Sequence, residues 1–250
     1  MFRFLVAAAL ASVTSSAFAQ VAPTTPAFSP EQSRAIEQII HDYLLSHPEL
    51  IIEVLQQAKQ KQKQDRAERT RESIKSWRSQ LLEDPDSPVG GNPKGDVTIV
   101  EFFDYRCPYC KRVEPSIDAL LKEDAKLRIV YKEFPILGRA SVFAARVALA
   151  ARKQDKYDEF HEAMMATKGE AEITEPVVLG VARSVGLDLD KLKADVQSPD
   201  IDTILRHDFA LAEALDIEGT PGIVIGNTIA DGAADVDSLR RMIAAARETR

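Results

Sequence analysis

Cysteine is scarce in this chain. Two occur in 250 residues, and both sit in one tetrapeptide, Cys107-Pro108-Tyr109-Cys110. Exported folds held by disulfides carry several dispersed pairs, so a stapling framework is excluded. A bridge between these two would close too short a loop to remove much unfolded-chain entropy. Histidine is also sparse. His41, His47, His161 and His207 are scattered, and no second cysteine pair is there to complete a tetrahedral zinc site, so the four are expected at the surface or in ordinary packing. Excess positive charge is missing too, and the formal net charge of −7 argues against nucleic acid as a partner. No internal repeat or low-complexity tract stands out.

Apolar runs long enough to span a bilayer are absent. The nearest approach, Phe4 to Val13, is too short, follows the positive charge of Arg3 and precedes the small-x-small pattern Ala17-Phe18-Ala19. These features predict a secretory leader over 1–19, cleaved after Ala19, and a soluble, exported, periplasmic mature protein. Apolar residues make up 45% of the chain, enough for a substantial core without covalent help.

What is present divides into an extension and a domain. After a flexible start, Ser29, Pro30 and Gln32 form a capping box, and Ile36, Ile39, Ile40, Tyr43 and Leu44 form a helical stripe. Pro48 resets the chain, and a second helix carries Leu50, Ile51, Val54, Leu55 and Ala58. From Lys59 to Ser73 the residues are polar except Ala67, which predicts an exposed connector. Ile74, Trp77 and Leu81 restore a stripe before Pro85 and Pro88. Two short amphipathic helices cannot make a core alone, so residues 29–58 are expected to associate with further copies of themselves. Residues 20–83 are read as this helical oligomerisation region with its linker, and 84–250 as the main domain.

In the main domain Val97 to Phe103 reads as a buried strand and the cysteines open a helix running to about Lys122. Leu127 to Phe134 is a second strand. Residues 139–215 are almost wholly helical, with breaks at Gly169, Gly186 and Ser198-Pro199. Gly222 to Ile225 and Thr228 to Ala230 pair through a Gly226-Asn227 turn, and a helix bearing Val236, Leu239, Met242 and Ile243 closes the chain. The class is α/β with a helical insertion.

Two thiols spaced CxxC at a strand-to-helix junction suit thiol–disulfide exchange. Cys107 at the helix start meets open N–H groups and the positive end of the dipole, which favour its thiolate. Cys110, one turn along, is shielded and resolves. Pro108 fits the first helical position, and the charges of Arg106 and Lys111 are expected to favour the thiolate further.

The segment Glu101-Phe102-Phe103-Asp104-Tyr105-Arg106-Cys107-Pro108-Tyr109-Cys110-Lys111 resembles the active-site segment of the DsbA family of thioredoxin-fold oxidoreductases. Tyr131 to Gly138 is similar to the second strand and loop of exported members, and Glu218-Gly219-Thr220-Pro221 to their cis-proline loop. The extension resembles the ScsC-like branch, whose N-terminal helices mediate oligomerisation. The resemblance implies a thioredoxin-like fold, a cis peptide at Thr220-Pro221 facing the sulfurs, and pairing of an extended client with the Thr220 backbone. It implies that Glu101 is a buried acid that helps move the proton of Cys110, with Lys132 as its partner. No cofactor is implied beyond the redox-active Cys107-Cys110 pair.

Pro108-Tyr109 departs from the Pro-His dipeptide of strongly oxidising members, and loss of that ring makes the disulfide less oxidising. With a self-associating extension, as a dimer or trimer, this favours isomerisation of misoxidised exported proteins, kept reduced by a membrane-bound thiol partner. A simple dithiol oxidase is the alternative. Copper(I) held by the two thiolates is another, in keeping with the branch's link to copper tolerance.

Overall fold

In a computed structural model the described residues are 28–167, 173–230 and 232–249. The expected leader and the break at Gly169 lie outside them. The chain forms two compact units, residues 1–59 and 60–250.

In the first unit, α1 (Pro30–Ser46) starts as expected. The Ser29 hydroxyl accepts the Gln32 N–H at 3.2 Å, and the Gln32 side chain accepts the Ser29 N–H at 2.9 Å. No residue of α1 is buried. Ile36, Ile39, Ile40, Tyr43 and Leu44 are all exposed, as are Ile51, Val54 and Leu55 at the start of α2 (Pro48–Ser76).

The polar stretch 59–73 is helix throughout, being part of α2. Its Gln, Lys, Arg and Glu side chains have good helix propensity and little to bury. Ile74 at the end of α2 and Leu81 on the short α3 (Arg78–Leu82) are almost fully buried. They pack with Val100, Phe102, Val130 and Leu211 in a core layer of the second unit. A domain start at 84 therefore omits two side chains that this unit folds around.

The second unit is built on a five-stranded sheet with spatial order β1-β3-β2-β4-β5. The strands are β1 (Val89–Gly91), β2 (Val97–Phe103), β3 (Leu127–Glu133), β4 (Gly222–Ile225) and β5 (Thr228–Ile229). β2 and β3 run parallel, joined through α4 (Pro108–Glu123), while β1, β4 and β5 pair antiparallel. β1 was not expected, since three residues with two glycines carry no periodic signal. Gly226 turns the chain between β4 and β5 at φ 60°.

Alternation along β2 sorts its side chains onto two faces. Ile99 and Phe103 belong to the larger core with Ile129 and Tyr131, whereas Val100 and Phe102 face Ile74 and Val130. Between β3 and β4 the chain inserts α5 (Arg139–Arg152), α6 (Tyr157–Met165), α7 (Glu175–Ser184), α8 (Leu189–Asp195) and α9 (Pro199–Ala214). Buried Ala144, Ala145, Ala148 and Ala151 on α5 let neighbouring helices approach closely. α10 (Val236–Glu248) buries Leu239 and Ile243. This is the expected thioredoxin-like architecture with a helical insertion. No helix among the described residues is long and apolar enough to cross a membrane.

Candidate dithiol site

β2 ends at Phe103, and Asp104 fixes the loop that follows. Its carboxylate accepts the N–H of Arg106 at 2.8 Å and of Leu137 at 2.9 Å, tying the loop to the segment after β3. Cys107 is then delivered as the N-cap of α4, with Pro108 in the first turn. Both cysteines are free thiols.

The two sulfurs differ sharply. The Cys107 thiol is lowered to about 6, first by its hydrogen bond with the Cys110 thiol. Thr220 and the N–H groups of Cys110 and Tyr109 add to this, against an opposing cost from burial. Those N–H groups are the open donors of the helix start. Cys110 is fully buried, and its thiol is pushed far up, first by burial, then by the bond to Cys107 and the Glu101 carboxylate. Arg106 donates to the Leu137 carbonyl, and the Lys111 ammonium to the Met164 carbonyl at 3.1 Å and to Thr167. Tyr109 is 52% exposed, with the Arg112 guanidinium 5.0 Å from its ring centre.

The Thr220–Pro221 bond is cis, and the Thr220 carbonyl oxygen lies 3.2 Å from Cys107 Sγ. A β-carbon at Gly222 would meet Ile217 Cγ2 at 2.5 Å, so only glycine lets the loop close onto β4. Beside this loop is an apolar groove of about 860 Å³, lined by Phe134, Pro135, Leu205, Phe209, Ile217 and Glu218.

Glu101 is fully buried, and neither of its carboxylate oxygens has a hydrogen-bond partner among the described residues. Its carboxyl is raised well above the usual range, first by burial and then by Glu114, Cys107 and Asp118. Lys132 is not its partner. Glu101 pairs in register with Tyr131, and Lys132 with Phe102, so strand alternation places the lysine on the opposite face. There its Nζ lies 2.7 Å from Asp84 and 3.1 Å from Asp208, a buried ion cluster remote from the thiols' face of the sheet. Burial pushes Asp208 up to about 7 against that lysine. Asp84, His207 and Asp208 bring ligand atoms within 4.8 Å of one another, but the ammonium of Lys132 already holds both carboxylates.

Glu114 and His161, both buried on the thiol face, escaped the sequence reading. Glu114 stands one turn beyond Cys110 on α4, a spacing that was legible. His161 on α6 binds Glu114 through Nε2 at 3.2 Å, and nothing local marks it. It is buried, packed against Phe103, Tyr131 and Tyr157.

Sheet order and dithiol placement together define a thioredoxin-fold dithiol protein. The chain belongs to the family described as DSBA-like thioredoxin domain, which matches residues 98–244. Residues 32–65 match the copper resistance protein ScsC N-terminal domain. A thioredoxin-like oxidoreductase from Silicibacter pomeroyi is 44% identical, covering 68% of this chain and 98% of that one, with a TM-score of 0.66. Proteus mirabilis ScsC in a transitional conformation is 26% identical over 89% of this chain and 100% of that one, TM-score 0.66. A probable disulfide bond formation protein D of Bacillus anthracis is 28% identical, covering 61% of this chain and 75% of the relative. The chain also matches an Na(+)/H(+) antiporter NhaA 1 of Salinispora arenicola at 28% identity, spanning 25% of that protein's length.

Proposed function

We propose that this chain is an exported, periplasmic thiol–disulfide isomerase acting on misoxidised proteins through Cys107 and Cys110. The observation that carries the reading is the asymmetry of the two sulfurs, one lowered to about 6 at a helix start and the other sealed beneath it. In the dithiol form Cys107 thiolate attacks one sulfur of a client disulfide. A mixed disulfide forms, and the other client sulfur leaves as thiolate. A second client thiol then attacks the bridge and releases Cys107, so no net electrons are lost. Alternatively Cys110 attacks Cys107, leaving the client reduced and the enzyme oxidised.

Client backbone aligned with Thr220 beside the cis proline, and client side chains in the groove by Phe209, fit this chemistry. The Pro108-Tyr109 dipeptide supports a less oxidising disulfide. The exposed stripes of residues 29–58, within the match to the ScsC N-terminal domain, support assembly of several copies, as a dimer or trimer. Turnover as an isomerase requires a membrane-bound thiol partner to keep the pair reduced, and no cofactor beyond the disulfide itself.

Cys110→Ser is the direct test. It should trap mixed disulfides with exported clients on Cys107, and the intact chain should reactivate a scrambled, fully oxidised substrate. Reactivation only of reduced substrate would assign the protein as an oxidase instead. The name of the matched N-terminal domain favours one second reading, copper(I) held by the two thiolates. Metal binding lost in Cys110→Ser without any trapped client would establish it.

A further inference from the structure

Cys110 and Glu101 are both sealed from water. A proton that passes from the resolving thiol to Glu101 must still leave the protein. Cys110, Glu114 and Asp118 stand at i, i+4 and i+8, one stripe of α4 running from the buried sulfur to a partly exposed carboxylate.

The hydrogen bonds around Glu114 restrict where protons sit. Tyr105 and Tyr157 both point their hydroxyls at one oxygen of Glu133, at 3.3 and 3.0 Å. Burial keeps both phenols protonated, far above their ordinary range. With those protons directed at Glu133, the Tyr105 oxygen is an acceptor, and Nδ1 of His161, 3.2 Å away, is its donor. Nε2 then faces Glu114 Oε1 at 3.2 Å, and one proton lies on that line whichever atom holds it. Glu114 Oε2 is left buried and without a partner. The imidazole cannot swing away, because Phe103, Tyr131 and Tyr157 pack around its ring.

We infer that Glu114, oriented by His161, is the proton exit of the resolving step, receiving the proton of Cys110 from Glu101 on Oε2 and releasing it through Asp118. The inference rests on the thiol-exchange reading above. Cys110 gives its proton to the Glu101 carboxylate, and the sulfur's electron pair forms the bond to Cys107 as the client thiolate departs. The Glu101 carboxylic acid returns to carboxylate by passing that proton to Glu114, and Glu114 by passing it to Asp118 and water. Reduction of the enzyme runs the same route inward.

The groups that bear on this path are Glu101 from β2, Tyr131 and Glu133 from β3, Cys110, Glu114, Asp118 and Lys122 from α4, Tyr105 before it, and Tyr157, Asp158 and His161 from α6. Burial first, and then the like charges of Glu114 and Cys107, raise Glu101, and burial and then Glu114 raise Asp118, so the members of this line sense one another's charge.

The full chain, carrying a short client peptide in mixed disulfide with Cys107, tests this by the rate of Cys110-dependent peptide release against pH. Glu114→Gln and Asp118→Asn are expected to slow release roughly tenfold or more near neutral pH, and the gap should narrow in strong base, where hydroxide takes the proton directly. His161→Phe should flatten the same profile. In all three the Cys107 thiolate should still form with a midpoint of about 6, since its bond with Cys110, then Thr220 and the helix-start N–H groups, set it, and none of the three substitutions removes these. Asp118 is only partly buried and tests the route even where a fully buried variant fails to fold. Wild-type release rates and pH profiles in folded Glu114→Gln and Asp118→Asn would overturn the inference alone. Absence of any mixed disulfide in the wild type would instead overturn the thiol-exchange reading.

Discussion

Cys107 Sγ lies 3.2 Å from the carbonyl oxygen of Thr220, a residue 113 positions along the chain. That contact joins the start of α4 to the cis-proline loop and sets the backbone of Thr220 beside the Cys107 sulfur.

The Cys107 thiol should ionise with a midpoint near 6, read by thiolate absorbance or by alkylation rate against pH. A free thiol ionises near 8.5, so the folded value is depressed. The dithiol form therefore gains stability as pH rises from about 6 to about 8.5 and loses it as pH falls back through about 6. Urea unfolding of the reduced chain across that window checks the sign. A stability that fell with rising pH would contradict the site described.

Glu101→Leu should stabilise the protein at neutral pH while slowing peptide release from Cys107. An acid raised by burial resists ionising, so it costs stability above the unfolded value of about 4.3 and costs nothing well below it. The gain should be about 1–3 kcal/mol at pH 7, the scale of an unsatisfied buried polar group, and should shrink toward pH 4 in thermal melts.

Lys132→Met should destabilise the fold by roughly 3–5 kcal/mol, because it strands the buried carboxylates of Asp84 and Asp208. Cys107 alkylation should keep its wild-type pH profile, since the lysine lies on the other face of the sheet. A shifted thiol midpoint would restore Lys132 to the site.

Truncation should depend on where the cut falls. A chain beginning at Gln60 keeps Ile74 and Leu81 and should fold as a catalytic unit that no longer self-associates. One beginning at Asp84 loses both, at about 2–5 kcal/mol each by analogy with large-to-small core changes. Sedimentation and thermal melting of the two chains separate assembly from core integrity.

Paired charges on the exposed stripe, Ile36→Asp with Ile40→Asp, should reduce the molar mass of the full chain to that of a monomer and abolish isomerisation while leaving Cys107 reactivity intact. Light scattering beside an alkylation assay shows both outcomes.

Local chemistry carried much of this protein in plain view. The capping box at Ser29, the strand before Cys107, the helix after it and the turn at Gly226 follow from neighbours within a few residues, and each stands where those neighbours put it. The short β1 gave no such sign, and the polar run after Lys59 reads equally as linker or as solvated helix until the rest of α2 is seen.

Partnerships between distant segments were a different matter. The alternating pleat, combined with the register of β2 against β3, sends Glu101 and Lys132 to opposite sides, although both sit near the middle of the sheet. His161 reaches Glu114 only because α6 folds back over α4. Residue type and spacing along one strand or helix thus specified the thiol pair and the helix that carries it. The proton's surroundings were chosen by how separate elements pack, because burial and charge contacts depend on neighbours in space that no stretch of chain contains.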